Sequence, residues 1–221
     1  MKILALENSG PYLSVALNDN NQNIASYCQY GYNQYKQHII SDVLITLIDK
    51  ILYYTDNNLN AIDKFAISIG PGSFTGLRIG MSIIKTFAQI FNKPIVGVDT
   101  LSILENYLPF AIDGIKIVAA RNALRKEVYI KDNINNNVII IQDINNFVKN
   151  LKKHSGKILI IGDVALDYKD LLNKELGQYS TSLPQFMHIP QAKILAQIAY
   201  KVKGVDYKSV KLLYVRRPYA K

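Results

Sequence analysis

Apolar positions between Lys2 and Tyr30 fall in short runs at strand spacing. Residues 2 to 7 and 12 to 17 are split by Asn8, Ser9, Gly10 and Pro11, the composition of a tight turn. A third run covers about Asn23 to Tyr30 after the turn at Asn18 to Asn21. From Gln37 to Tyr54 the spacing becomes helical, and the polar segment Asp56 to Asn60 ends it. Phe65 to Ile69 reads as a short buried strand, followed by a glycine-rich turn, a helix from about Phe74 to Phe91 and a strand at Pro94 to Val98. Three antiparallel strands followed by alternating helix and strand is the order of a ribonuclease-H-like α/β unit.

After Leu101 to Tyr107 the order restarts. Strands are expected at Lys116 to Ala120, Glu127 to Asp132, Val138 to Gln142 and Lys157 to Ile161, with helices at Ile144 to Lys152 and Asp167 to Leu176. Gln178 to Gln191, which holds Pro184 and Pro190, reads as a loop before a helix from Ala192 to Lys203. The second half thus repeats the first. Two domains are expected, residues 1–104 and a smaller 105–221, with the boundary near Leu104 to Pro109.

Both helices of the first half have apolar arcs wider than a single sheet contact needs. Ile79, Gly76, Gly80, Ile83, Ile84, Phe87, Ala88, Ile90 and Phe91 span roughly 200°, and the residues from Ile39 to Leu52 span roughly 240°, against about 100° for a helix lying on a sheet. Gly72, Gly76 and Gly80 recur every fourth residue, and each helical glycine costs about 1 kcal/mol relative to alanine, so a close backbone approach is implied. The surplus apolar surface is either buried between the helices and against the second domain, or forms an exposed two-helix patch that pairs with another chain. The positions expected at such a contact are Ile40, Val43, Leu44, Leu47, Gly76, Gly80, Ile83, Ile84 and Phe87.

The 221 residues are 49% hydrophobic, enough for a proper core, and carry a formal charge of +9 that favours anionic partners such as tRNA. No segment approaches the ~20 apolar residues of a membrane span, and the amino terminus lacks a signal-peptide core. A single cysteine, Cys28, excludes an internal disulfide, fits a cytoplasmic protein, and reads as a buried structural thiol.

Catalytic chemistry is poorly represented. His38, His154 and His188 form no pair at ligand spacing, so no metal site is expected. Ser9 and Ser73 have no recognisable triad partners. Glu7 and Asp163 stand at strand ends, where α/β folds place ligands, and read as groups that either hold magnesium or satisfy nearby turn amides. The glycine turn from Ile69 to Gly80 has neither a Walker lysine nor the GxGxxG spacing, so a phosphate site there has no support from motif.

Three segments, ILALENSG, QHIISDVLITLIDKIL and AISIGPGSFTGLRIGMSIIKTFAQIFNKPIVGVDTLSIL, resemble the TsaB (YeaZ) family, the dimerisation subunits of bacterial tRNA threonylcarbamoyladenosine synthesis. Arg121 with Glu127 to Tyr129, Ile160 to Asp163, and the terminal LLYVRRP resemble the family more weakly. The resemblance implies two ribonuclease-H-like domains of the actin-like, sugar-kinase and chaperone ATPase superfamily. It also implies a non-catalytic subunit that binds and activates TsaD through the two amino-terminal helices, joined by the ATPase TsaE. A homodimer through the same helices is expected when the chain is alone, and tRNA is met indirectly through the complex. Glu7, Asn8 and Ser9 stand where the family commonly has Asp-Thr-Ser, and Ala119 stands at an acidic family position. With Gly10 they make at most a degenerate phosphate turn, so nucleotide is expected only in the complex. The alternative is an ATP-dependent or glycoprotease-like enzyme of the same superfamily. A tRNA-binding module would instead use Lys149, Lys152, Lys153, Lys157, Lys208, Lys211, Arg216, Arg217 and Lys221.

Overall fold

The computed structural model describes residues 1–31, 40–108, 114–132 and 138–215. They divide into two compact units, Met1–Ile103 with Pro190–Leu213, and Leu104–Ile189 with the residues from Tyr214 onward.

In the first unit, β1 (Lys2–Glu7), β2 (Tyr12–Asp19) and β3 (Gln22–Tyr30) form an antiparallel meander, and β4 (Lys64–Ser68) and β5 (Ile95–Val98) add in parallel to give the order β3-β2-β1-β4-β5. Side chains alternate across a strand, so the sheet has two different faces. Leu4, Leu6, Leu13, Val15, Leu17, Phe65 and Ile67 point to one face, where α1 (Ile40–Tyr54) and α2 (Phe74–Phe91) complete the core. Ser14 and Lys64 point to the other, where α7 (Ala192–Lys201) lies: the Ala192 amide donates to Ser14 Oγ at 3.1 Å, and Lys64 Nζ donates to the carbonyls of Ala199 and Val202 at 3.0 and 2.7 Å. Beyond α7, Ile95 and Val205 exchange backbone hydrogen bonds at 2.9 Å.

These contacts correct the expected domain limits. Residues 190–213 belong to the first unit, not the second, because the apolar face of α7 is spent on the back of the first sheet. Cys28 is exposed, not buried, because β3 is the edge strand and carries most of its side chains to solvent. Desolvation and the Glu7 carboxylate raise the Cys28 thiol above its ordinary value against a smaller opposing effect of Lys193, which works against a nucleophilic role.

α3 (Thr100–Glu105), with Asp99 accepting from the Ser102 amide at 2.8 Å, carries the chain out of the first unit. The second unit contains β6 (Ile115–Asn122), β7 (Glu127–Asp132), β8 (Val138–Asp143) and β9 (Lys157–Ile161) in the order β8-β7-β6-β9. That is the first unit's order without its fifth strand, so both sheets have the ribonuclease-H-like arrangement. α4 (Ile144–Leu151) starts at Asp143, whose carboxylate accepts from the Asn145 and Asn146 amides, and buries Ile144, Phe147, Val148 and Leu151. The helix expected over Asp167 to Leu176 is present as α6 (Lys169–Leu176), and a short α5 (Asp163–Asp167) precedes it, divided from it at Tyr168, which leaves helical backbone at φ −117° and ψ 26°. The expected loop before α7 holds two short 3-10 turns, Gln178–Thr181 and Gln185–His188.

Candidate partner interface and the closed turn beside it

α1 turns Ile40, Val43, Leu44, Leu47, Ile48 and Ile51 inward, all less than 9% exposed. Its outer face carries Asp42, Thr46, Asp49 and Lys50, but also Ile45 at 48% and Tyr53 at 78% exposure. α2 begins at Ser73, whose Oγ accepts from the Gly76 amide at 3.2 Å, and ends at Asn92 in the left-handed region. It buries Gly76, Leu77, Gly80, Met81, Ile84 and Ala88 and leaves Ile90 67% exposed, with Ile79, Ile83 and Phe87 half-buried.

Most positions expected at a partner contact therefore lie in the unit's own core. Ile40, Val43, Leu44, Leu47 and Ile84 pack on the sheet, and of the expected apolar set only Ile83 and Phe87 keep partial exposure. The wide apolar arcs serve mainly sheet and helix-to-helix packing. The glycine stripe is also internal. A Cβ at Gly76 would stand 2.5 Å from the Asn8 carbonyl oxygen, and one at Gly80 would stand 2.5 Å from Asn8 Oδ1. The close approach inferred from the glycines is real, but the backbone that approaches belongs to the turn after β1. Exposed large apolar side chains on α1 and α2 are Ile45, Tyr53, Tyr54, Phe74 and Ile90, with Ile79, Ile83 and Phe87 half-buried.

That turn is closed by its own groups. Glu7, Asn8 and Ser9 are at most 1% exposed, and Gly10 is half-buried. Glu7 Oε1 accepts from the Ser9 amide at 3.0 Å, the Ser9 carbonyl accepts from the Ser73 amide at 2.7 Å, and Asn8 Nδ2 donates to the Gly76 carbonyl. A phosphate in this turn would need the Ser9 amide. A buried carboxylate already holds it.

Asp163 acts similarly in the second unit, accepting from the Asn122 amide at 2.7 Å and from Arg121 at 3.1 and 3.2 Å. His188 is a core group, 2% exposed, and its sequence spacing gives no sign of it. Its Nδ1 accepts from the Gly162 amide at 3.2 Å, so Nε2 carries the proton and donates to the Leu183 carbonyl at 3.2 Å. Burial holds its pKa below the ordinary value, against the opposing pull of those two backbone bonds and of Asp163. His154 is exposed, and His38 lies outside the described residues. Among the described residues, no group of three His, Cys, Asp or Glu side chains is placed to hold a metal ion. Lys149, Lys152, Lys153, Lys157, Lys208 and Lys211 are exposed, with Lys152 paired to Glu175, while Arg216, Arg217 and Lys221 lie outside the described residues.

The family model described as TsaD, tRNA N6-adenosine threonylcarbamoyltransferase, matches residues 35–199. A tRNA threonylcarbamoyladenosine biosynthesis protein TsaB of Bacillus subtilis is 27% identical over 224 residues, covering 98% of this chain and 94% of that protein. The TsaB protein of Buchnera aphidicola subsp. Schizaphis graminum is 29% identical over 171 residues, covering 73% of this chain and 78% of the relative. Among solved structures, a Pseudomonas aeruginosa protein described as similar to peptidase YEAZ superposes with a TM-score of 0.75 at 21% identity, covering 97% of this chain and 99% of that one.

Proposed function

The chain belongs to the TsaD-type threonylcarbamoyltransferase family and, within it, to the TsaB (YeaZ) group, and from that premise we propose that it is the non-catalytic partner subunit of tRNA threonylcarbamoyladenosine synthesis. On this reading it binds and activates TsaD, with TsaE, for transfer of threonylcarbamoyl to the adenosine beside the anticodon. The supporting observation is the outer face of α1 and α2, where Ile45, Tyr53 and Ile90 stand exposed on two helices otherwise committed to the core. Fully burying such a side chain from water is worth at most about 1.5–3 kcal/mol, less for Ile45, which is already half-covered. The closed Glu7 turn agrees with a subunit that leaves nucleotide and metal chemistry to its partner.

The test is co-purification with TsaD and TsaE from the same organism, followed by a tRNA modification assay with this chain omitted. Modification should need the chain, and Ile90→Lys with Ile45→Glu should abolish TsaD capture while the variant still melts cooperatively. Full modification without the chain, or ATP turnover by the chain alone, overturns the assignment.

A further inference from the structure

The second sheet has an opening that the first lacks. β6 pairs with β9 from Ile115 to Ala119, but with β7 only at Ala120, Arg121 and Asn122. β7 itself continues to Asp132, paired with β8 throughout. Continuing the β6–β7 ladder would pair Ala119 with Lys131 and Val118 with Asp132, and neither pair is in the register. The strands part, and a cavity of about 480 Å³ opens beside them. This lies within the range of small-molecule sites.

The slot has apolar walls and a cationic lining. Val118 and Ile130 face it from the side on which α4 packs, and Ile117, of opposite parity on β6, lines it from the other side. Three lysines, Lys116, Lys131 and Lys153, line it against one acid, Glu105, which is bound to Lys131 at 2.8 Å. Lys116 and Lys153 are exposed. In a strand paired on one side only, alternate residues aim both backbone groups away from the ladder. Between Ile115 and Ala119 those groups address the opening.

We propose that this slot binds a small amphipathic organic anion, a carboxylate bearing an apolar tail or ring. The tail lies along Val118 and Ile130, and the carboxylate takes the ammonium groups of Lys116 and Lys153. The excess of positive over negative lining charge selects the anion, and the parted strands supply the depth that a flat sheet face would not. This assignment is independent of the partner contact on α1 and α2.

The experiment uses the full chain and the fluorescent sulfonate 8-anilinonaphthalene-1-sulfonate, with octanoate and octanol as competitors. Saturable binding of one dye per chain is expected, displaced by octanoate and poorly by octanol. Lys116→Glu with Lys153→Glu should weaken the dye at least about tenfold at unchanged melting temperature, since both positions are exposed. Val118→Trp, which fills the slot, should do the same. If Val118→Trp does not fold, the lysine pair decides. Absence of saturable binding overturns the proposal, as does equal displacement by octanol or an unaltered affinity in the lysine pair. Loss of the dye in Ile90→Lys also overturns it, because that result places the dye on α2.

Discussion

β1 and β6 occupy the same place in their two sheets, yet they end differently. β1 is paired on both sides and runs into a turn whose Ser9 amide is held by Glu7, the last residue of the same strand. β6 is half-paired toward β7 and ends at Asn122, whose amide is held by Asp163, a residue that follows β9. Each unit thus supplies a carboxylate of its own where a turn of this kind can receive an anion. In each, a glycine that follows the parallel neighbour permits a close backbone approach: a Cβ at Gly72 would stand 2.2 Å from the Ser9 carbonyl oxygen in the turn after β1, and one at Gly162 would stand 2.1 Å from the Ala120 carbonyl oxygen within β6. The same close approach is solved twice with different residues.

The comparison is broken most severely at the glycines. Gly162 sits at φ +120°, where a side chain adds strain of about 1–3 kcal/mol, and a Cβ there also meets a backbone oxygen that cannot turn away. Gly162→Ala should lose about 3 kcal/mol or more, and Gly72→Ala, which has the contact without the positive φ, should lose less. Urea unfolding of the two variants measures the difference. Equal losses would mean that the steric contact alone governs both positions.

Removing the carboxylates comes next. Glu7→Ala leaves the buried Ser9 amide without this acceptor and should cost about 1–3 kcal/mol, whereas Asp163→Ala removes an acceptor from the Asn122 amide and also an ion-pair partner of Arg121, 6% exposed, and should cost more than Glu7→Ala. The reverse order in denaturant unfolding would show that the two turns are not closed in the same way.

Much of this fold is legible in the sequence, and the reasons for the rest are specific. β7, β9 and α2 have the expected limits because each is a periodic run bounded by turn residues. α5 escapes because it starts directly after the strand-ending Gly162 and lasts five residues, too short to show a period. The fate of α7 escapes because its apolar stripe says that a face is buried but not against which sheet. The internal burial of the glycine stripe escapes for a related reason. Gly76 and Gly80 announce a close approach without naming what approaches, and their neighbour, Asn8, is 68 and 72 positions earlier in the chain. Periodicity marks the inner stripe of each helix, whereas the exposed apolar residues that interrupt the polar face, Ile45 and Ile90, follow no period.

His188 sharpens the account of the second turn through pH. In the folded chain the neutral ring accepts from Gly162 and donates to Leu183, and burial, outweighing those two backbone bonds and Asp163, keeps its pKa below the ordinary 6.5. The unfolded chain therefore takes up the proton first as pH falls. The contribution of His188 to stability is complete above about 6.5 and declines below it, toward the lower folded pKa. Between pH 7.5 and 5.5 the protein should lose more stability than His188→Gln, which starts less stable but lacks this titration. Parallel losses in the two proteins would show that the ring is not held neutral at the turn.

The smallest expected effect on stability is on the outer face of α1 and α2. Ile90 lies in the last turn of α2 and is 67% exposed, so Ile90→Lys removes little buried area and places a cation where the helix dipole favours one. Its stability should change by no more than about 0.5 kcal/mol, in contrast to Gly80→Arg, whose side chain would have to displace Asn8 from a turn in which it is fully buried. That contrast makes Ile90→Lys the informative variant for partner binding. Loss of TsaD capture with an unchanged melting curve separates contact from folding, whereas Gly80→Arg would lose capture whether or not a partner ever touches α2. If Ile90→Lys instead melts as early as Gly80→Arg, then Ile90 belongs to the unit's own packing and the outer face of α2 is not the surface a partner meets.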